Sequence, residues 1–432
     1  MGSKIEDEDI NRIYDKLEPE IRRMGEVLKQ GYFTEYASIN LIDDNNSLGK
    51  IKSIISEKKM LNPKVLVVIG IGGSNLGTMA VQEALLGKLY NQYGSETKIL
   101  YADTVDSDQI FVISKIVEWV LRHGENVLIN VVSKSGGTTE TIANFQVLID
   151  ILKKYKQNYQ DYVIVTTDQN SKFFNFALNN KFTVLEIPKK VGGRFSIFSP
   201  VGLFPLGILG VNIDELIEGA KIMRDKCLIK NIKINPAALS ASIIYNYSKK
   251  NKNIHDLFIF SPDLESFGKW YRQLMAESIG KEFNIQQKQI FNGITPTVSI
   301  GSTDLHSMAQ LYLGGPFDKF TTFISVKNNR FGVEVPNDPE YSQLVEGIQG
   351  NRLHTIMDAI LRGVQKAFEK GNRPFTEIIL PEKSESSIGQ LLQLKMMEIM
   401  YLGYLMEVNP FDQPNVENYK SETKKILLNN IH

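Results

Sequence analysis

The stretch NVLINVV (126–132) runs without a break into SKSGGTTET (133–141), and the change of character at Ser133 decides how this chain is read. The first half is a nearly continuous apolar run, the pattern of a strand buried on both faces of a parallel sheet. The second half is rich in hydroxyls and glycines and opens a helical pattern, so the pair reads as a strand-to-helix junction. Outward from it the same grammar recurs, with VLVVIG (65–70), TKILYAD (97–103), DYVIVTTD (161–168) and TVLEIP (183–188) separated by helical spacing. Short apolar strands alternating with helices predict a doubly wound α/β unit with a parallel sheet. Residues 6–30 carry Ile10, Ile13, Leu17, Ile21, Met24 and Leu28 at three- and four-residue steps, a surface helix with one buried stripe.

Beyond this unit, Gly192–Val211 reads as a Gly/Pro-rich junction and 213–250 as two helices. The alternation then resumes. HDLFIFSP (255–262) precedes a helix over about 266–281, one strand fits near IFNGITPTVSIG (290–301), and KFTTFISV (319–326) and FTEIILPE (375–382) flank a helix over 352–369. Helices over 385–407 and 413–430 finish the chain. The expected organisation is a helical arm over 1–55, a first α/β domain over 56–212, a second over 213–384, and C-terminal helices over 385–432.

The chain has 432 residues, with 49 Lys+Arg balanced by 49 Asp+Glu. A neutral chain with interspersed charges lacks the basic footprint of a nucleic-acid binder, so no nucleic-acid partner is expected. The single cysteine, Cys227, permits no internal disulfide and no multi-cysteine metal site, which fits a reducing compartment. The opening Met1–Ile10 is charged rather than apolar, unlike a secretory signal. The most apolar stretch, PVGLFPLGILGV (200–211), is too short and too broken to span a bilayer, so the expectation is cytoplasmic with no membrane partner.

Two junctions could hold an anion. IGIGGSNLG (69–77) follows a strand and opens a helix, yet the third glycine of a dinucleotide fingerprint falls on Asn75. A tight turn that merely needs glycines remains an alternative. Ser133–Thr141 offers hydroxyls and amides at a helix N-terminus, where a phosphate dianion is favoured; Lys134 precedes the glycines, so it is not a Walker A loop. A Ser/Thr-rich cap without a ligand is the competing reading. Arg194 in VGGRFSIFSPVG (191–202) sits where a strand of an open sheet ends, and could hold an oxyanion or form a surface ion pair. Glu277 and Lys281 stand four apart in AESIGK, the spacing of an ordinary helical ion pair. His306 in GSTDLHSMAQ sits near a helix start, and on its own a lone histidine says little.

Taken in order, IGIGGSNLG, SKSGGTTET, GGRFS, AESIGK and FDQPNVENYK resemble the glucose-6-phosphate isomerase, or phosphoglucose isomerase, family over about residues 60–425. The resemblance implies two SIS-type three-layer α/β/α domains with helical arms. It implies reversible aldose–ketose isomerisation of glucose 6-phosphate and fructose 6-phosphate, by ring opening and a cis-enediol, with no cofactor and no metal. By resemblance Glu277 is the proton-shuttling base, Arg194 stabilises the enediolate, and His306 and Lys420 open the ring, with Gln413 as a substrate contact. Ser133, Lys134 through its backbone amide, Ser135 and Thr138 are carried over as phosphate ligands, and Gly73 and Ser74 as sugar contacts. A homodimer in which His306 reaches the neighbouring site is also implied. Asn415, Ser135 and Gly137 depart from the family pattern at the edge of the site. Mannose 6-phosphate as a further substrate, or a non-catalytic SIS-domain regulator binding sugar phosphate, are the alternatives; a regulator has no need of Glu277, Arg194, His306 and Lys420 together.

Overall fold

The computed structural model describes residues 7–429, so the expectations that fall on 1–6 and 430–432 lie outside it. Five strands form the first sheet: β1 (Pro63–Ile69), β2 (Lys98–Ala102), β3 (Asn126–Val132), β4 (Val163–Thr167) and β5 (Thr183–Glu186). They are parallel in the order β2-β1-β3-β4-β5, with Val67 opposite both Leu100 and Ile129. Right-handed crossovers put the helix of a leftward step and those of rightward steps on opposite faces. Both faces of the strands are therefore covered, which is why β1 and β3 read as unbroken apolar runs and are buried almost throughout.

The order reverses between β1 and β3. At such a switch point the two following loops diverge and leave a crevice at the carboxyl edge of the sheet. The loop after β1, 70–75, and the loop after β3, 133–138, flank that crevice.

The second unit holds β6 (Ile254–Ile259), β7 (Lys281–Phe283), β8 (Gln289–Asn292), β9 (Thr295–Ile300), β10 (Lys319–Asn328) and β11 (Phe375–Glu382). Four of these make a parallel sheet in the order β11-β10-β6-β9, while β7 and β8 pair antiparallel as a separate ribbon. The single strand expected over 290–301 is thus two, broken at Gly293–Ile294 and split between two sheets. The junction 192–211 also differs from expectation: Pro200–Ile208 is a helix, and each of its nine residues is buried. Two helices follow as expected, Ile213–Cys227 and Pro236–Lys249.

The helix Asp7–Val27 buries Ile13, Leu17, Ile21 and Met24, the stripe read from the sequence; the side chain of Ile10 lies outside the description. The helix Glu385–Leu405 is buried along most of its length and packs on the helices 213–227, 236–249 and 265–279. One contiguous apolar cluster joins both sheets through it, from Val67 and Ile129 to Leu257 and Ile324.

Candidate active site

Arg194 lies in the short turn Gly193–Phe195 beyond β5 and is only 2% exposed. A guanidinium taken out of water needs its N–H groups satisfied. It makes five hydrogen bonds: Nε to Ser278 Oγ at 2.8 Å, Nη1 to Glu277 Oε2 at 3.2 Å and to Gln413 Oε1 at 2.7 Å, and Nη2 to the carbonyls of Pro410 at 2.6 Å and Asp412 at 3.1 Å. Burial draws the guanidinium down from its ordinary value, opposed by the charges of Glu277 and Asp412. The surface ion-pair reading of this arginine is therefore set aside by its burial.

Glu277 sits in the last turn of the helix Glu265–Ile279. Its side chain is 33% exposed, with Oε2 on Arg194 and Oε1 accepting from Gln273 Nε2 at 2.9 Å. The carboxylate is thus held at both oxygens yet open on one side. The ordinary i, i+4 ion pair with Lys281 does not form. The helix stops at Ile279, and the Lys281 ammonium reaches back to the backbone carbonyl of Glu277 at 2.8 Å and to Asp412.

The loop after β1 comes up against this arginine. A Cβ on Gly73 would lie 2.2 Å from the carbonyl carbon of Gly193, so only glycine lets the two loops meet. Ser196 Oγ donates to Gly193 O at 2.7 Å, and Trp270 Nε1 donates to Arg194 O at 3.2 Å. Ser74 is half-buried in the same loop.

In the loop after β3, Ser133 is buried with its Oγ 3.2 Å from Thr138 Oγ1, and its carbonyl accepts from Thr167 Oγ1 at 2.6 Å. Gly136 has φ +68°, and a Cβ there would meet Phe173 at 2.7 Å, which fixes the turn against the neighbouring helix. Thr138 stands at the cap position of the helix Thr139–Tyr155 without a side-chain cap bond. No described side chain caps this start, and open first-turn N–H groups are what a helix start needs if it is to take an anion. Ser135 is exposed and accepts from Gly137 N at 3.3 Å. The Lys134 ammonium turns away to the carbonyl of Val191 at 2.7 Å, and burial pushes it below the usual lysine range.

The structure thus gathers Arg194, Glu277 and Gln413 in one hydrogen-bonded group, with Gly73 packed against the arginine turn and the Ser133–Thr138 loop across the switch point. His306 and Lys420 are not in that group. His306 is exposed after the turn Thr303–Leu305, and among the described residues its ring meets no hydrogen-bonding partner. Lys420 lies on the helix Val416–Asn429, of which no residue is buried, and bonds Glu417 at 2.7 Å.

Sequence reasoning passed over Gln273, Ser278 and Trp270. Gln273 was findable, because it lies one helical turn before Glu277 on the same face. The carbonyls of Pro410 and Asp412 carry no side-chain signal. Behind the 410–412 turn opens a cleft of about 660 Å³, lined among others by Tyr36, Lys281, Phe283, Phe411 and Asp412.

Residues 55–334 match the family described as phosphoglucose isomerase. A protein of Carboxydothermus hydrogenoformans named glucose-6-phosphate isomerase is 36% identical, over 84% of this chain and 79% of its own length. One of Methanocaldococcus jannaschii with the same name is 33% identical over 91% of this chain and 93% of its own. Among solved structures, a hypothetical protein from Thermus thermophilus superposes with a TM-score of 0.86 at 29% identity, covering 97% of this chain and 96% of that one.

Proposed function

The chain belongs to the phosphoglucose isomerase family, and on that premise we propose that Glu277 moves the proton between C1 and C2 of the substrate while Arg194 supplies the counter-charge for the enediolate. The reaction is the reversible aldose–ketose isomerisation of glucose 6-phosphate and fructose 6-phosphate. One observation carries the residue assignment: a partly buried carboxylate held 3.2 Å from a buried, fully hydrogen-bonded guanidinium. A fixed cation where negative charge develops stabilises the transition state without reorganising. Its other N–H groups are already engaged, so it acts through its field and does not swing toward the substrate.

The phosphate is assigned to the hydroxyls of Ser133, Ser135 and Thr138 and the backbone amide of Lys134, at the uncapped helix start. Gly73 and Ser74 are assigned to the sugar hydroxyls. Ring opening falls to His306 and Lys420, and Gln413, bonded to Arg194 Nη1, is assigned as a polar contact to the substrate. In a single copy His306 is exposed and, among the described residues, its ring has no partner, and Lys420 rides a helix with no buried residue. Both facts favour a homodimer in which His306 enters the neighbouring site. The compartment we assign is the cytoplasm; no described helix is long and apolar enough to cross a membrane.

A coupled assay following glucose 6-phosphate formed from fructose 6-phosphate tests the base. Glu277→Gln is expected to lower kcat by about 10²–10⁴-fold, the usual worth of a general base. Undiminished turnover by that variant would remove Glu277 from the role. Binding without turnover by the wild type would instead point to a sugar-phosphate regulator. Turnover that survives EDTA is the further expectation.

A further inference from the structure

We infer that Lys281 is a positioning residue for this reaction: its buried ammonium locks the helix that carries Glu277 to the turn that encloses Arg194. This rests on the assignment of Glu277 and Arg194 made above. Lys281 is 6% exposed. Its ammonium bonds the backbone carbonyls of Glu277 and Asp412, and the Asp412 carboxylate lies 3.0 Å away. An ammonium has three N–H donors, and three acceptors surround this one.

Each acceptor matters for a different reason. The Glu277 carbonyl is one of the last four of its helix, which have no partner inside the helix; a cation there satisfies it and complements the helix dipole. The Asp412 carbonyl is shared, because it also accepts from Arg194 Nη2 at 3.1 Å. The residue after Asp412 is Gln413, whose Oε1 holds Arg194 Nη1 at 2.7 Å. One ammonium therefore fixes the C-terminal turn of the base's helix and the turn that supplies three of the five acceptors around the arginine. Burial pushes it below the usual lysine range, and Asp412 opposes that shift.

Lys281 also lines the cleft of about 660 Å³ behind the site, together with Asp412 and Phe411. Removing the lysine stem therefore leaves its place bordering that cleft, where a small amine can be offered. Such access makes the inference testable by chemical replacement.

In Lys281→Ala the turn and the helix lose their common partner. We expect kcat to fall about ten- to hundredfold, the scale of a misplacement near 1 Å, while KM for fructose 6-phosphate stays within about threefold. Ethylammonium should restore part of the lost kcat in a saturable manner. Tetramethylammonium carries the same charge but no N–H, and should restore nothing. A purely structural lysine would lower the amount of folded enzyme and show no such discrimination. Lys281→Met, which keeps the stem, should fold and lose kcat to a similar extent, with its thermal midpoint measured alongside.

The inference is overturned if either variant keeps kcat within about threefold of wild type, since a positioning defect costs more than that. It is also overturned if the two ammonium ions act alike, or if Lys281→Met cannot be recovered folded. Glu277→Gln is assayed in parallel. An active Glu277→Gln protein removes the underlying assignment, whereas an inactive one beside a fully active Lys281→Ala removes only the role of the lysine.

Discussion

His255 shows what burial does to a single titratable group. It lies on β6, 1% exposed, with Nε2 2.9 Å from Thr322 Oγ1 and Nδ1 3.4 Å from the Tyr271 hydroxyl. Burial, and then the charge of Lys395, push its imidazole well below the usual histidine range. The folded state therefore keeps it neutral where the unfolded chain, with an ordinary value near 6.5, takes up a proton. Its stabilising effect is present above about pH 6.5 and is lost as pH falls below that, by up to about 1.4 kcal/mol per pH unit. In urea titrations between pH 7 and pH 5 the difference in stability between wild type and His255→Gln should fall with pH in this sense. The neighbouring Asp256, pushed up by burial, works in the opposite sense, so the difference between wild type and variant isolates the histidine. At Gly73, substitution by Ala forces a Cβ against the backbone of Gly193. The loop bearing Arg194 must then move, and a kcat loss of about 10²-fold with the fold retained by circular dichroism is the expected outcome. Arg194 and Glu277 were singled out in the sequence as candidates, and only the family resemblance gave them roles. Their contact was not legible there, since it joins positions 83 residues apart.

Elements were legible where burial left a period to read. β3 and β11 occur over 126–132 and 375–382, as the apolar runs indicated. The helix Pro200–Ile208 was missed because it is buried on every side and shows no amphipathic stripe, while Pro and Gly normally mark loops. Pro200 at its first turn costs nothing, because the missing N–H is one that a helix start leaves unpaired. The ribbon β7–β8 was missed because strands of three and four residues are too short to show alternation. In the helix Glu385–Leu405, the Lys395 ammonium lies 2.7 Å from Glu398 Oε2, with both side chains fully buried, and Tyr271 donates to Glu398 Oε1 at 2.7 Å. Removing one charge strands the other away from water. Lys395→Met should destabilise the protein by about 3–5 kcal/mol, and replacing both charges by apolar residues should cost less than that. Equilibrium urea unfolding of the three proteins decides it, and equal losses in the single and double variants would contradict this reading.

At the scale of the molecule the two sheets share one apolar cluster, with the helix Glu385–Leu405 packed between the elements that surround them. Coupling through a common core predicts that calorimetry gives one transition, and two resolved peaks would show that the sheets unfold independently. The proposed homodimer predicts in turn that specific activity falls on dilution, which a concentration series of the purified protein measures. The two loops that flank the switch point were legible in the sequence, because they carry the glycines and hydroxyls, whereas the strand order that makes a switch point there was not. Gln413 was named only through the resemblance, and the enclosure of Arg194 by the 410–413 turn was not legible, since Gln413 reaches Arg194 across 219 residues of sequence. That reach gives the fold an engineering use. Residues 341–347 are exposed, and a cut there leaves Arg194 and Glu277 on one fragment and Pro410, Asp412 and Gln413 on the other. Neither fragment alone encloses the guanidinium, so isomerase turnover would report the rejoining of the two halves.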